Sequence, residues 1–122
     1  MRPMYDHLQF ITHQGKRILL IDFSHCTQQQ MLLMLEYVRV TIAQHARESL
    51  LTLADFTGAE VDRTVATKIK EVLTLDRPFV KKSAWVGTES LPKAYYDNFK
   101  IFSRRDFPTF ATRQDAMNWL VA

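Results

Sequence analysis

Two aspartates occupy matching positions in the sequence and are the first residues to consider for chemistry. Asp22 and Asp55 are each the next-to-last residue of an apolar run of strand length, and each is followed two residues later by a hydroxyl side chain. Carboxylates at neighbouring strand ends can hold a metal ion or share a proton. We favour the alternative that each accepts N–H bonds from its own turn, because a magnesium site normally recruits substrate phosphates and no motif here binds them.

Hydroxyl side chains also follow the predicted strands. Ser24 and Thr57 directly follow two apolar runs, and Thr88 follows a third after one glycine. In open α/β sheets, ligands bind in the crevice outside the carboxyl ends of the strands, where helix-start N–H groups also point outward. The same hydroxyls can instead cap helices or turns, which is their commonest role. The candidate binding face therefore consists of Ser24, Asp55, Thr57, Gly58, Thr64 and Thr88.

The sequence contains no recognisable catalytic, metal-binding or cofactor-binding motif. Its histidines, at positions 7, 13, 25 and 45, lack the short spacing of a zinc site, and no motif supplies an orienting base for Cys26. The three glycines form neither a P-loop nor a Gly-x-Gly-x-x-Gly loop, and there is no Gly-x-Ser-x-Gly elbow. We predict that the protein is not an enzyme and uses no metal or cofactor.

Hydrophobic periodicity predicts the strands that position these residues. Residues 8–13 alternate apolar and polar side chains, as in a half-exposed strand, and a turn over 14–16 joins them to the apolar run 17–23. Two further apolar runs, 50–56 and 80–86, are typical of strands covered on both faces. The short segment 107–110 contains a proline and is predicted to be an edge strand.

Capping signals and apolar spacing predict four helices. Thr27 with Gln30, and Thr57 with Glu60, have the spacing of capping boxes, and the helix after Thr27 is expected to end near Ala46. A third helix is predicted from Glu89 to about Phe102, with Pro92 in its first turn, and Thr112 with Asp115 caps the last. The order ββαβαβαβα demands a mostly parallel five-stranded sheet with right-handed crossovers.

Aromatic residues are concentrated in the last third of the chain. The inner stripe of the third helix is predicted to be Leu91, Tyr95, Phe99 and Phe102, and most of the other aromatic side chains are expected in the core. An apolar patch left exposed there would suit a homodimer face or a lipid-like ligand. The candidate apolar patch comprises Trp85, Tyr95, Tyr96 and Phe99.

Composition is that of one ordinary globular domain. The chain has 122 residues, of which 47% are hydrophobic, and we predict a single domain over residues 1–122. One cysteine cannot form an internal disulfide, and no apolar run reaches the ~20 residues of a membrane span or forms a signal peptide, so we expect a cytoplasmic protein. With a net charge of +3 and basic residues grouped only in pairs such as 81–82 and 104–105, nucleic-acid binding is not expected.

Three segments resemble the SpoIIAA-like (STAS-type) family. They are residues 11–24 (ITHQGKRILLIDFS), 53–58 (LADFTG) and 110–120 (FATRQDAMNWL), and the order of elements extends the resemblance over nearly the whole chain. The resemblance implies a five-strand, four-helix domain of the anti-sigma-factor-antagonist type. Relatives of that type act by binding proteins, lipid-like molecules or other small ligands.

The sequence departs from the regulatory members of that family at their phosphorylation site. Those relatives carry a serine in an Asp-Ser-Ser or Asp-Ser-Gly turn after the third strand, whereas residues 57–64 here read TGAEVDRT. Thr57 and Thr64 are the only hydroxyl side chains that could take its place. A phosphate on Thr57 would add roughly two negative charges beside a predicted helix start and could repel a partner.

Together these observations favour a noncatalytic regulatory or protein-binding module, with a protein partner or a homodimer. The alternative is a domain that binds a small or lipid-like ligand in an apolar pocket between the sheet and the helix over residues 89–102. A cavity beneath Trp85 and Phe99 would favour the ligand-binding alternative. A solid core there would favour the protein-binding module.

Overall fold

The computed structural model describes residues 4–122, with side chains from residue 6 onward. A five-stranded sheet runs through the fold with its strands in chain order. The strands are β1 (Leu8–His13), β2 (Lys16–Asp22), β3 (Leu50–Asp55), β4 (Val80–Val86) and β5 (Thr109–Phe110). The helices are α1 (Gln28–Ile42), α2 (Arg63–Asp76), α3 (Lys93–Ser103) and α4 (Arg113–Val121). β1 is antiparallel to β2 and the other neighbours are parallel, which confirms the predicted mixed α/β fold.

The sheet carries helices on both faces. One hydrophobic cluster joins Leu19, Ile21 and Trp85 to α1, α2 and α3, and a second joins Ile18, Leu53 and other strand residues to α4. Successive strand residues point to opposite faces, so both sets along β2 and β3 must be apolar. This is the physical origin of the continuous apolar runs in the sequence.

The start of α1 was predicted correctly and its end was not. The Thr27 hydroxyl accepts from the Gln30 N–H at 3.2 Å, and the Gln30 side chain accepts from the Thr27 N–H at 2.8 Å, which completes the capping box. The helix ends at Ile42 instead of near Ala46. Beyond it the chain tightens into turns, and the His45 ring binds the Thr41 carbonyl at 3.0 Å, so local bonds to the last carbonyls replace further helix.

The predicted capping box at Thr57 and Glu60 is wrong. α2 begins at Arg63, and its cap is Asp62, whose carboxylate accepts from the Val65 N–H at 2.8 Å. The Glu60 side chain instead accepts from the Gln28 N–H at 3.4 Å, at the start of α1. Two equally good capping side chains lie in this stretch, and the later one starts the helix.

Proline sets the start of α3. Residues 88–90 form a short 3-10 turn, Leu91 is extended with φ −96° and ψ 128°, and Pro92 is the N-cap of a helix that begins at Lys93. The helix was predicted to begin at Glu89, but a residue before proline is pushed out of the helical region. The buried stripe then continues from Phe99 to Ser103, four residues on, and leaves Phe102 60% exposed, contrary to prediction.

The C-terminal elements agree with the prediction. β5 lies at the sheet edge and is shorter than the predicted 107–110, and the Trp85 N–H donates to the Pro108 carbonyl just before it. Thr112 caps α4 by accepting from the Asp115 N–H at 3.1 Å. Over residues 4–122, none of the helices has the length and apolarity that crossing a bilayer requires.

Candidate functional site

The loops that follow β2, β3 and β4 are held together by main-chain hydrogen bonds. The Phe23 N–H donates to the Asp55 carbonyl at 2.9 Å, and the His25 N–H donates to the Thr57 carbonyl at 2.8 Å. The Phe56 N–H donates to the Val86 carbonyl at 3.0 Å. The parallel pairing therefore extends past the strand ends, so the loops after β2 and β3 are held in register.

Each of the two aspartates organises its own turn. One oxygen of Asp22 accepts from the Ser24 N–H at 3.0 Å and from the Ser24 hydroxyl. In the same way, Asp55 Oδ1 accepts from the Thr57 N–H at 2.9 Å and from its hydroxyl at 2.7 Å. The interpretation that each carboxylate serves its own turn is confirmed by these bonds, and both hydroxyls are drawn inward toward carboxylates.

A third residue joins the two turns. Arg113, the first residue of α4, donates to Asp55 Oδ2 through Nε and Nη2, both at 2.8 Å, and its Nη2 lies 3.3 Å from Asp22 Oδ1. Both aspartates are buried, whereas the arginine side chain is 39% exposed. The guanidinium thus supplies the positive charge that two adjacent buried carboxylates require. We call Asp22, Asp55 and Arg113 the Asp–Arg bridge.

Sequence reasoning missed Arg113 because it lies 58 residues from Asp55. One signal was present: a cation in the first turn of a helix opposes the helix dipole and needs a compensating anion. The bridge also argues against a metal ion held jointly by Asp22 and Asp55, since the Arg113 guanidinium already contacts both carboxylates. Among the residues that the structure describes, no group of three or more His, Cys, Asp or Glu side chains could hold a metal ion.

Two glycines allow the loops to pack closely. A Cβ at Gly87, where φ is +70°, would lie 2.4 Å from the Thr57 main-chain nitrogen. A Cβ at Gly58, where φ is +65°, would lie 2.4 Å from His25 Nδ1. Because main-chain atoms cannot move aside as a flexible side chain can, a larger residue at Gly87 would displace the Thr57 loop.

The predicted binding face is only partly at the surface. Thr57 and Gly58 are exposed, with His25 beside them, and Ser24 and Thr88 are half-buried. Asp55 is 6% exposed and holds the loop from below, so it cannot itself be a surface contact. Thr64 is exposed in the first turn of α2, on a different element from the other predicted residues.

Thr57 does not stand at a helix start. It lies in the loop before Asp62, so the prediction that a phosphate on Thr57 would lie at a helix start is wrong. A phosphate there would instead sit beside the Asp–Arg bridge, because the Thr57 hydroxyl donates to Asp55 Oδ1. The hydroxyl nevertheless belongs to a side chain that solvent reaches.

Comparison with known proteins supports the architecture. No family model matches the sequence, and no curated protein matches it. A solved structure from Shewanella loihica PV-4, described as an uncharacterized protein of the DUF3478 family with a SpoIIAA-like fold, superposes with a TM-score of 0.70. The two chains are 17% identical, and the match covers 93% of this chain and 91% of that one. The chain has a SpoIIAA-like fold.

The four aromatic residues predicted as a surface patch in this SpoIIAA-like fold belong to the core or pack against it. Trp85 is 3% exposed and stacks on Phe107 with ring centroids 4.2 Å apart, and Phe99 is 1% exposed. The Tyr96 hydroxyl donates to the Phe107 carbonyl at 2.9 Å. The candidate patch of Trp85, Tyr95, Tyr96 and Phe99 is therefore corrected, because β4 turns Trp85 inward and α3 turns Phe99 onto it.

The exposed apolar side chains lie elsewhere. Ile101 and Phe102, at the end of α3, are 76% and 60% exposed. Phe102 and Leu75 line a shallow groove of about 460 Å³ between α2 and α3. Self-association, which the sequence predicted, stays a prediction.

Three pairs of adjacent basic residues are placed differently: residues 104 and 105 differ in exposure, whereas pairs 16–17 and 81–82 line the same groove. Arg104 is exposed while the neighbouring Arg105 points into the protein. Lys16–Arg17 and Lys81–Lys82 line a groove of about 400 Å³ at the opposite end of the sheet from the Asp–Arg bridge. Lys16 donates to the Val121 carbonyl at 3.1 Å and Lys82 donates to the Trp119 carbonyl at 2.8 Å, so both cations lie at the C-terminal end of α4, where the helix dipole is negative.

Proposed function

We propose that this SpoIIAA-like domain is a noncatalytic regulatory module that binds another protein through the loops after β2, β3 and β4. The contact surface is formed by Ser24, His25, Thr57, Gly58 and Thr88, which we call the strand-end face. The observation that carries the proposal is the Asp–Arg bridge beneath it. A surface held in one conformation before binding loses little entropy when a partner docks.

The chemistry of the strand-end face suits recognition better than catalysis. The Ser24 and Thr57 hydroxyls donate to carboxylates that are already committed to the Asp–Arg bridge, so neither of these two hydroxyls is paired with a free general base. The His25 ring lies close to Gly58 at the surface. The face therefore presents small polar groups and main chain, and a transient interface is as a whole about as polar as the rest of a protein surface.

Cavity size favours this proposal over an apolar-ligand carrier. Trp85 packs against Phe56, Phe99 and Phe107 in the region where a pocket under α3 was predicted. The cavity bordered by Trp85 measures about 40 Å³, whereas sites for drug-sized ligands usually span ~300–1,000 Å³. Binding a lipid chain would require the core to open.

Substitutions on the strand-end face test the proposal. Wild-type protein and two variants, Thr57→Glu and His25→Ala, are immobilised and exposed to lysate of the native host, and retained proteins are identified and quantified. We expect a partner that binds wild type and is retained at least about tenfold less by Thr57→Glu, since a charge without a partner in an interface costs more than the ~1.4 kcal/mol that a tenfold loss requires.

A matched control separates this surface from general charge effects. Thr74→Glu places the same charge on the exposed side of α2, where the Thr74 hydroxyl bonds only the Lys70 carbonyl. It should retain the partner like wild type, and thermal melting should show all variants folded. Equal retention by Thr57→Glu, His25→Ala and wild type would refute a role for the strand-end face.

A further inference from the structure

A small cavity with one polar side lies between the sheet and helices α1 and α2. Most of its lining is apolar, and its volume is about 40 Å³. Four polar side chains border it: Thr52 from β3, Ser83 from β4, Asp76 from the end of α2, and Arg105 from the segment after α3. The proposed partner-binding surface uses none of them.

Arg105 supplies a cation to this cavity. Its Nη2 donates to Ser83 Oγ at 2.6 Å and its Nη1 donates to the Leu73 carbonyl at 3.2 Å. Desolvation lowers the pKa of Arg105 to about 10, so the guanidinium remains charged at neutral pH. Both of these acceptors are neutral groups, and over residues 4–122 no ion pair joins Arg105 to a carboxylate.

Asp76 is the only acidic residue among the cavity-lining side chains, and it does not contact Arg105 directly. It is 4% exposed, and within the described part of the chain no protein group hydrogen-bonds or pairs with its carboxyl group, whose oxygens keep a slight contact with solvent. Desolvation raises the pKa of Asp76 to about 7, against the attraction of Arg105 and Arg39. Near neutral pH a large fraction of this group is a neutral carboxylic acid that can donate its O–H.

The two hydroxyls provide one more donor. Thr52 Oγ1 and Ser83 Oγ are buried and 2.7 Å apart, and Ser83 also accepts from Arg105. Each hydroxyl has one proton, and their mutual bond uses only one of the two. Whichever hydroxyl donates to the other, one O–H remains to be donated.

We propose that this cavity binds a small monocarboxylate of formate or acetate size, with the carboxylate held by Arg105, Asp76 and the Thr52–Ser83 hydroxyl pair. A carboxylate anion accepts from all three kinds of donor and balances the charge of a desolvated guanidinium. By this measure about 10–15 Å³ is enough to hold one water molecule, so a 40 Å³ cavity admits a group of a few heavy atoms. An attached methyl group would face apolar lining such as Val72.

Charge around the cavity predicts how binding depends on pH. The charged groups that act on Asp76 and Arg105 are Arg39 from α1 and Arg77 after α2, and Arg39 is itself paired with Glu36. An ionised Asp76 would repel the bound carboxylate, whereas the neutral acid would donate to it. With a pKa of about 7, affinity should fall about tenfold between pH 6 and pH 8.

Titration with sodium acetate, followed by NMR, tests the proposal. The signals are the Arg105 Nε–Hε pair and the methyl groups of Ile69 and Val72, in the whole chain and in a carboxylate-free buffer. Because so small a ligand binds weakly, the titration extends to about 100 mM at constant ionic strength. We expect a saturable shift of all three signals at pH 6 that weakens about tenfold at pH 8.

Three variants sharpen the result. Arg105→Gln should abolish the saturable shift, and Arg104→Gln, which changes the exposed neighbour, should leave it unchanged. Asp76→Asn should bind acetate with little difference between pH 6 and pH 8. If Arg105→Gln does not fold, wild type and Asp76→Asn still decide the question, since their pH dependences must differ.

Three outcomes would overturn the proposal. The first is the lack of a saturable shift in wild type at pH 6. The second is the same saturable response to sodium chloride, which would identify a halide site. The third is a pH dependence that survives in Asp76→Asn.

Discussion

At the scale of single residues, Arg113 supplies the positive charge beside two buried aspartates. Asp22 and Asp55 are buried at adjacent strand ends, where two carboxylates would repel each other. The guanidinium lies 2.8 Å from one and 3.3 Å from the other. The Asp–Arg bridge therefore ties the start of α4 to the turns that shape the strand-end face.

Replacing Arg113 should destabilise the whole fold. Arg113→Ala leaves two buried carboxylates without their cation, and removing one partner of a fully buried pair costs ~3–5 kcal/mol. Since the arginine is 39% exposed, water compensates in part, and we expect a loss of about 2 kcal/mol in the free energy of unfolding. Urea denaturation measures this loss.

A comparison variant isolates the effect of the bridge. Arg63→Ala removes an exposed arginine from the first residue of another helix, α2. It should change the free energy of unfolding by less than about 0.5 kcal/mol. Similar losses in the two variants would contradict the role assigned to the Asp–Arg bridge.

At the scale of elements, local signals located the helices but could not choose between competing caps. Thr57 with Glu60 has capping-box spacing, yet Asp62 begins α2. Thr57 lies two residues after a buried carboxylate that takes its N–H and its hydroxyl. That turn, together with the bond from the Glu60 N–H to the Cys26 carbonyl at 3.0 Å, holds this stretch outside helical geometry.

The assignment of Asp62 as the cap predicts the cost of removing it. Asp62→Ala should lower the free energy of unfolding by about 1 kcal/mol, because the Val65 N–H loses its acceptor. Thr64→Ala, an exposed position two residues later, should cost less than about 0.5 kcal/mol. Thermal unfolding followed by circular dichroism compares them, and a larger effect at Thr64 would show that the helix starts elsewhere.

At the scale of the whole molecule, stability should depend on pH through Asp76. Its folded-state pKa of about 7 lies above the ordinary 3.8, so the folded protein holds a proton that the unfolded chain has released. The contribution to stability is complete below pH 3.8 and is lost as the pH rises toward 7. The full change is of the order of 4 kcal/mol, from about three units at 1.36 kcal/mol each.

Asp76→Asn isolates this contribution. The difference in unfolding free energy between wild type and the variant should favour the variant progressively between pH 4 and pH 7, and should then level off. Urea denaturation across that range, in buffers without carboxylates, measures it. A difference that stays constant with pH would show that Asp76 is ionised in the folded protein throughout.

The sequence by itself determined the elements and their order. Alternating and continuous apolar runs predicted β1 to β4, and the caps at Thr27 and Thr112 predicted where two helices begin. These features depend on neighbours within about four residues, so they are legible without knowing the fold. The two aspartate turns of the candidate site were predictable for the same reason, because each joins residues only two positions apart.

Only the tertiary structure decided how distant residues meet. Arg113 reaches Asp55 and Arg105 reaches Ser83 because parallel crossovers bring the start of α4 and the segment after α3 against the sheet. Tertiary packing also determined that Trp85 is buried and Phe102 is exposed, because only some faces of the sheet and helices pack against another element. No local sequence pattern predicts these long-range contacts, because the residues come close to one another only when the sheet has assembled.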